Sequence, residues 1–180
     1  VGSEMCIRDR LNMARIESGK SVLSESSESI VDMVEEVTNV FGAMALEKEI
    51  VLDTKIDIVH KQVLCDSTKV KEILVNLIGN AIKYTHSGGR VSVDVKELEC
   101  SKDGYGTYQI KIIDTGIGMS ESFIPTLFDA FTREAKDDII GTGLGMPIVK
   151  KLVDMMVVRL MLRVSLVRAV LLQLRSIISL

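Results

Sequence analysis

Glu72-Ile-Leu-Val-Asn76-Leu-Ile-Gly-Asn80-Ala-Ile-Lys83-Tyr84-Thr85 is the stretch on which the fold turns. Val70, Ile73, Leu74, Leu77, Ile78, Ala81 and Ile82 recur at the i, i+3, i+4, i+7 spacing of an amphipathic helix, and Asp66 is its expected N-cap. On that register Asn76, Asn80 and Lys83 stack on a flank away from the centre of the apolar stripe, where packing has no use for them. Amide oxygens together with phosphate oxygens can complete an octahedral magnesium shell, and a lysine beside them can offset phosphate charge.

Two glycine clusters lie downstream. In Asp114-Thr-Gly116-Ile-Gly118, the aspartate sits where an apolar run ending at Ile113 stops, and the glycines permit a sharp turn. A carboxylate held at that point can accept a hydrogen bond from an exocyclic amine such as that of adenine, and burying it penalises ligands that cannot donate. In Gly141-Thr142-Gly143-Leu144-Gly145, the glycines precede a helical run from Met146 to Met156, with Ile148, Val149, Leu152, Val153 and Met156 on one face and Pro147 in the first turn. Glycines ahead of a helix N-terminus let backbone N–H groups approach an anion, and the helix dipole favours phosphate there. The string lacks the Lys-Ser/Thr ending of a P-loop.

In this order the motifs closely resemble those of sensor histidine kinases: Glu72 to Thr85 their N box, Asp114 to Gly118 their G1 box, Phe128-Asp-Ala-Phe131 their F box and Gly141 to Gly145 their G2 box. The resemblance spans about residues 30–156. It implies the Bergerat ATP-binding fold, an α/β (α+β) two-layer sandwich with a mixed sheet covered by helices on one face, shared with gyrase-type topoisomerases and MutL-type repair ATPases. It also implies ATP and Mg2+ as cofactors, with Asn80 the magnesium ligand, Asn76 its neighbour, Lys83 a phosphate contact, Tyr84 a wall near the base and Asp114 the adenine reader. Gly116, Gly118, Gly141, Thr142, Gly143, Leu144 and Gly145 then form the hinges and phosphate cradle of a mobile lid. The lid would run from Met119 to Ile140, anchored by Phe123, Leu127, Phe128 and Phe131, with Arg133 either reaching a phosphate or lying in water.

The ATPase relatives place a glutamate general base where this chain has Asn76, and an amide cannot take a proton from water. The resemblance therefore implies a protein-histidine kinase that holds ATP for transfer rather than hydrolysis. A repair or topoisomerase ATPase and a non-catalytic nucleotide-binding module remain the alternatives. The implied partners are a response regulator and a second copy of the chain, joined through a helical hairpin that carries the acceptor histidine; nucleic acid is not among them.

His60 lies between two strand-like runs and His86 in the turn Thr85-His-Ser-Gly-Gly89, so both read as plain surface histidines rather than phosphoacceptors. Residues 11–20 resemble the closing turns of the hairpin's second helix, with Gly19 as a C-cap, which places the acceptor helix upstream of residue 1. Without it, the fragment would be inactive alone. Residues 1–10 resemble a string that recurs at the ends of translated sequencing assemblies, and are set aside as a non-native leader.

Composition breaks at the other end. Four of the 22 basic residues and none of the 25 acidic ones fall within 157–180, leaving 18 basic against 25 acidic before it. Arg159, Arg163, Arg168 and Arg175 interrupt each long apolar run, which argues against a membrane span, and their helical angles scatter, which argues against a surface helix. The resembling kinases continue with a Gly-Gly pair and a closing β-hairpin. One base lost after the Met156 codon restores such a hairpin in the neighbouring frame under a permissible codon choice. On that expectation 157–180 is a frameshifted tail and the sheet lacks its final strands, leaving exposed edges that aggregate.

With 180 residues, 47% apolar and 26% charged, the chain has room for one core and a helical stub. Cys6, Cys65 and Cys100 show no paired metal spacing, which suits a reducing, cytoplasmic compartment, although the parent protein can still be membrane-anchored. Residues 21–29 read as a polar linker, and Ser29-x-x-Asp32 offers a capping box for a helix to about Leu46. Strands are expected at 49–58, 62–65, 90–98 and 107–113, the last two forming a hairpin around a turn at 101–106.

Overall fold

The computed structural model describes residues 22–100, 105–134, 141–156, 159–164 and 168–178. Strand β1 (Ser26–Ser29) runs directly into helix α1 (Ile30–Glu47), whose N-cap Ser29 accepts a hydrogen bond from the Asp32 N–H at 3.2 Å. Strands β2 (Val51–Asp57) and β3 (Gln62–Cys65) follow, then helix α2 (Ser67–Tyr84). Strands β4 (Arg90–Leu98) and β5 (Tyr105–Asp114) lead through a 3₁₀ turn at Ile124–Thr126 to helix α3 (Gly145–Met155). Strands β6 (Arg159–Val164) and β7 (Arg168–Ile178) complete the order.

The seven strands make one mixed sheet in the order β1-β3-β7-β5-β4-β2, with β6 also paired to β7. Only the β2–β4 pairing is parallel among those described. One face of the sheet presents Val91, Val93 and Val95 of β4 and Tyr108, Ile110 and Ile112 of β5, all buried. Against them lie Ile30, Met33, Val34, Val37 and Phe41 of α1, the stripe of α2, and Ile148, Val149, Leu152 and Val153 of α3. Alternation along β4 leaves Ser92, Asp94 and Lys96 on the opposite, more open face, so the sandwich has two layers. The buried set on α2 is Val70, Ile73, Leu74, Leu77, Ile78, Ala81 and Ile82, and Asp66 caps it by accepting from the Lys69 N–H at 3.1 Å. Phe41 packs across Gly79, where an added Cβ would lie 3.3 Å from its ring, so the glycine sets how closely α1 approaches α2.

The sheet does not lack its closing strands. Residues 159–164 and 168–178 form β6 and β7, and β7 runs antiparallel to β5 from Tyr105↔Ile177 to Ile113↔Ala169. A strand needs no helical amphipathic face, so the angular scatter of the arginines excludes a surface helix and leaves a strand open. The whole of 157–180 also lacks Gly, Pro, Asp and Asn, the residues strands avoid. Part of the polar linker is ordered too: Ser26–Ser29 pairs with β3 as an edge strand. The leader and the hairpin-like stub at 1–20, and the centre of the expected turn at 101–104, lie outside the described residues. Among the described residues, no helix is long and apolar enough to cross a membrane.

His60 is more than a surface residue. Its Nδ1 lies 2.7 Å from Glu97 Oε1, while Glu97 Oε2 accepts the N–H groups of Val59 and His60 at 2.7 and 2.9 Å. Tyr108 then donates its hydroxyl to the His60 carbonyl at 2.9 Å, and burial, helped by the charge of Glu97, pushes that phenol up to about 12. Burial alone would raise the Glu97 carboxyl, but the His60 N–H and ring, the Val59 N–H and the His60 charge together hold it below the ordinary value. A carboxyl depressed on folding contributes stability above its unfolded pKa of about 4.3, and that contribution fades as pH falls through the lower folded value. Glu97→Gln is therefore expected to lower the melting temperature at pH 7 and to lose little at pH 3; thermal melts across that range check it, and equal losses at both ends would contradict it.

Candidate functional site

Asn76, Asn80 and Lys83 lie on one flank of α2, as the apolar stripe requires, and all three are half-buried. The Asn76 Nδ2 donates to the Glu72 carbonyl at 2.8 Å, which fixes the amide and turns its oxygen outward. That oxygen faces the start of α3: a Cβ on Gly145 would lie 2.9 Å from Asn76 Oδ1 and 3.7 Å from Asn80 Nδ2. Leu144, the α3 N-cap, has no side-chain oxygen to give, so the positive end of the helix opens toward the two amides without a side-chain cap.

The second glycine cluster is tied to α2 and to the chain before it. Lys83 Nζ lies against Gly141 where any side chain would stand. Thr142 Oγ1 accepts from the Leu144 N–H at 3.3 Å, and the Gly143 carbonyl accepts from the Phe131 N–H at 3.1 Å. Gly143 has φ +70°, and a Cβ there would meet the Phe131 backbone at 2.9 Å, so glycine is required on both counts. Arg133, exposed, donates from Nη1 to the Gly141 carbonyl at 2.6 Å, at the head of this cluster.

The first cluster joins the same helix at its end. The Ile117 N–H donates to the Tyr84 carbonyl at 3.0 Å, and Gly116 sits so close to that carbonyl that no Cβ fits. The Gly116 N–H donates to Asp114 Oδ1 at 2.8 Å, orienting the carboxylate at the end of β5, and Gly118 follows with φ +67°. Lys83 Nζ lies 4.9 Å from the Tyr84 ring centroid, so the ammonium and the aromatic ring are neighbours.

The four expected lid anchors do not behave alike. Leu127 is buried and Phe128 half-buried, with Lys150 Nζ of α3 5.7 Å from its ring centroid. Phe131 is 60% exposed and adopts φ +64°, a backbone region costly for a residue with a Cβ, because its N–H must turn to Gly143. Anchoring therefore falls to Leu127. Ser120 and Glu134 are joined by a 3.0 Å bond from the Ser120 N–H to Glu134 Oε1, and residues 135–140 lie outside the described set. One contributor had no signal in the sequence: Lys48, at the end of α1, donates to carbonyls at the end of α2.

The site thus has three walls, namely the amide flank of α2, the glycine turn after β5, and the loop into α3. Neutral oxygens, one ammonium and an open helix N-terminus suit a metal–polyphosphate, and a buried-edge carboxylate suits a base that donates. The described residues contain no group of three or more His, Cys, Asp or Glu side chains that could hold a metal by themselves.

The sequence profile of the family described as "Histidine kinase-, DNA gyrase B-, and HSP90-like ATPase" matches residues 65–168, from the end of β3 to the first residue of β7. The chain is 36% identical over 156 residues to the virulence sensor protein BvgS of Bordetella bronchiseptica, a match covering 83% of this chain and 12% of that protein. It is 29% identical over 154 residues to the autoinducer 2 sensor kinase/phosphatase LuxQ of Vibrio vulnificus, covering 83% and 18%. It thus spans less than a fifth of the length of these curated relatives. Among solved structures, full-length ShkA in complex with AMPPNP matches with TM-score 0.79 at 25% identity over 96% of this chain and 35% of that one. The Acinetobacter baumannii histidine kinase AdeS matches with TM-score 0.72 at 20% identity over 97% and 77%.

Two of the close-approach glycines, Gly145 and Gly116, are expected to respond differently to alanine. At Gly145 the methyl meets the far end of the Asn76 side chain, which can swing away, so Gly145→Ala keeps stability and displaces the amide. At Gly116 it meets the Tyr84 backbone, so Gly116→Ala costs about 1–3 kcal/mol. Urea unfolding of both variants checks the order; a larger loss for Gly145→Ala would contradict it.

Proposed function

Because the chain belongs to the family of histidine kinase-, DNA gyrase B- and HSP90-like ATPases, we propose that it is the ATP-binding catalytic domain of a two-component sensor histidine kinase. In that role it positions Mg-ATP for phosphoryl transfer to a histidine on a separate helical hairpin. The proposal rests on the convergence of both glycine turns on one helix: Gly145 against Asn76 and Asn80, and Ile117 hydrogen-bonded to Tyr84.

Asp114, oriented by the Gly116 N–H, accepts the adenine amine, and a base without that donor forgoes the bond. Tyr84 lies beside the base, while Lys83 and the N–H groups at the start of α3 receive phosphate oxygens. The donor set fits magnesium: the Asn76 oxygen is turned outward by its bond to Glu72, Asn80 stands one turn on, and Gly145 leaves the adjoining space clear. Asn80 would hold the ion, with Asn76 beside it, and the ion when bound supplies charge neutralisation for the phosphates. Asn76 has no basicity to activate water, so ATP is retained for a protein acceptor. What the chain contributes to catalysis is orientation and electrostatic stabilisation.

A response regulator and a second copy of the chain are the partners this role carries, with the domain on the cytoplasmic side; BvgS is named a sensor protein and LuxQ a sensor kinase/phosphatase. The wild-type chain is expected to bind Mg-ATP, to hydrolyse it negligibly and to phosphorylate a supplied histidine hairpin domain. Asp114→Ala and Asn80→Ala are each expected to weaken binding by about tenfold or more, and Asp114→Ala to erase the preference for ATP over GTP. Calorimetric titration and a radiolabel transfer assay measure these. Unchanged affinity in both variants would refute the assignment, and rapid hydrolysis without an acceptor would move the chain to the ATPase class.

A further inference from the structure

Helix α2 ends without a glycine: Thr85 turns the backbone into an extended conformation at φ −91°, ψ 135°, and is buried. The carbonyls of the last turn must therefore find partners elsewhere. Ala81 receives the Thr85 hydroxyl at 2.7 Å, and Tyr84 receives the Ile117 N–H at 3.0 Å. Ile82, Lys83 and Thr85 are all served by one group, the Lys48 ammonium, at 2.9, 3.0 and 3.0 Å. Its three donors are fully used, and its charge lies at the negative end of the helix dipole. Lys48 is itself the C-cap of α1, its own N–H bonded to the Met44 carbonyl at 3.1 Å. The next residues continue the joint: Gly88 donates to the Glu49 carbonyl at 3.1 Å and Val51 to the Gly89 carbonyl at 3.0 Å.

We propose that Lys48 is a positioning residue for the nucleotide site, fastening the last turn of α2 so that Lys83 and Tyr84 stay aimed at the ligand. This rests on the ATP-binding role proposed above. The carbonyls it holds belong to Lys83 and Thr85, on either side of Tyr84, and to Ile82. The carbonyl left between them is the one that receives the glycine turn after Asp114. Releasing Lys48 frees three carbonyls at once, and the turn that carries the base wall loses its fixed relation to the carboxylate that reads the base. Arginine keeps the charge but spreads its donors across a planar fork, which cannot converge on three carbonyls as an ammonium does.

The test compares the wild-type chain with Lys48→Met, Lys48→Arg and Tyr108→Phe; the last deletes one hydrogen bond, to the His60 carbonyl, away from the site. Amide hydrogen exchange is followed without nucleotide at Ile117, which reports the Tyr84 carbonyl, and at Ile110 and Ile112 in β5. Mg-ATP affinity is measured in parallel. Lys48→Met is expected to speed exchange at Ile117 about tenfold, to leave Ile110 and Ile112 unchanged, and to raise the Kd about tenfold. Lys48→Arg is expected to fall between Lys48→Met and wild type, and Tyr108→Phe to alter neither Ile117 nor the Kd. Unaltered exchange at Ile117, acceleration spread equally through β5, or faster exchange with unaltered affinity would each overturn the proposal. If Lys48→Met does not fold, Lys48→Arg carries the same comparison. Failure of the wild-type chain to bind Mg-ATP would count against the nucleotide role, while exchange at Ile117 would still decide whether Lys48 holds the turn.

Discussion

The rotational setting of α2 governs everything built on it. Seven apolar side chains along one stripe are buried against the sheet and the neighbouring helices, the six larger than Ala81 each contributing about 1.5–3 kcal/mol, whereas the hydrogen bonds of a site residue contribute about 1 kcal/mol apiece. Packing therefore decides how the helix turns, and Asn76, Asn80 and Lys83 go where that turn puts them. The flank they occupy is the one the start of α3 leans against, since Gly145 permits contact there. Burial on one side and a missing Cβ on the other define the space between.

Local signals were legible and distant ones were not. Period and cap are encoded within a few residues, so the buried set on α2, its Asp66 cap and the bounds of β4 followed from the sequence. The Ser26–Ser29 strand carries no β-forming side chains and exists because β3 offers it a ladder, its partners, from Ser29↔Gln62 to Ser26↔Cys65, lying 33 to 39 positions away. Arginine spacing in 157–180 excludes only helices, and the strands that form obey a different period. Phe131 looked like an anchor because apolar residues usually are, yet a backbone bond to Gly143 holds it at the surface. Lys48 and Glu97 act on groups at least 34 positions away, and nothing beside either residue announces its partner.

The candidate site is assembled with few ionised groups. Its amides are neutral, its helix terminus supplies partial charge through backbone dipoles, and its carboxylate is held by a backbone N–H. Such a set is inexpensive to desolvate compared with paired charges, so it can sit half-buried beside the core without the penalty that isolated ions incur. The close contacts at Gly116, Gly141 and Gly145 complete the economy, because each brings backbone to within reach of a side chain or carbonyl that a larger residue would displace.

Strand β7 comes last among the strands in chain order yet lies between β3 and β5. The group formed by β1 and β3 has no described pairing with the group formed by β5, β4 and β2 except through it. A nascent chain that has emerged only as far as α3 consequently carries two unjoined half-sheets, each with an open backbone edge. The two halves become one sheet only once residues 168–178 are added, so elongation up to that point is the interval in which open strand edges are exposed to wrong pairing.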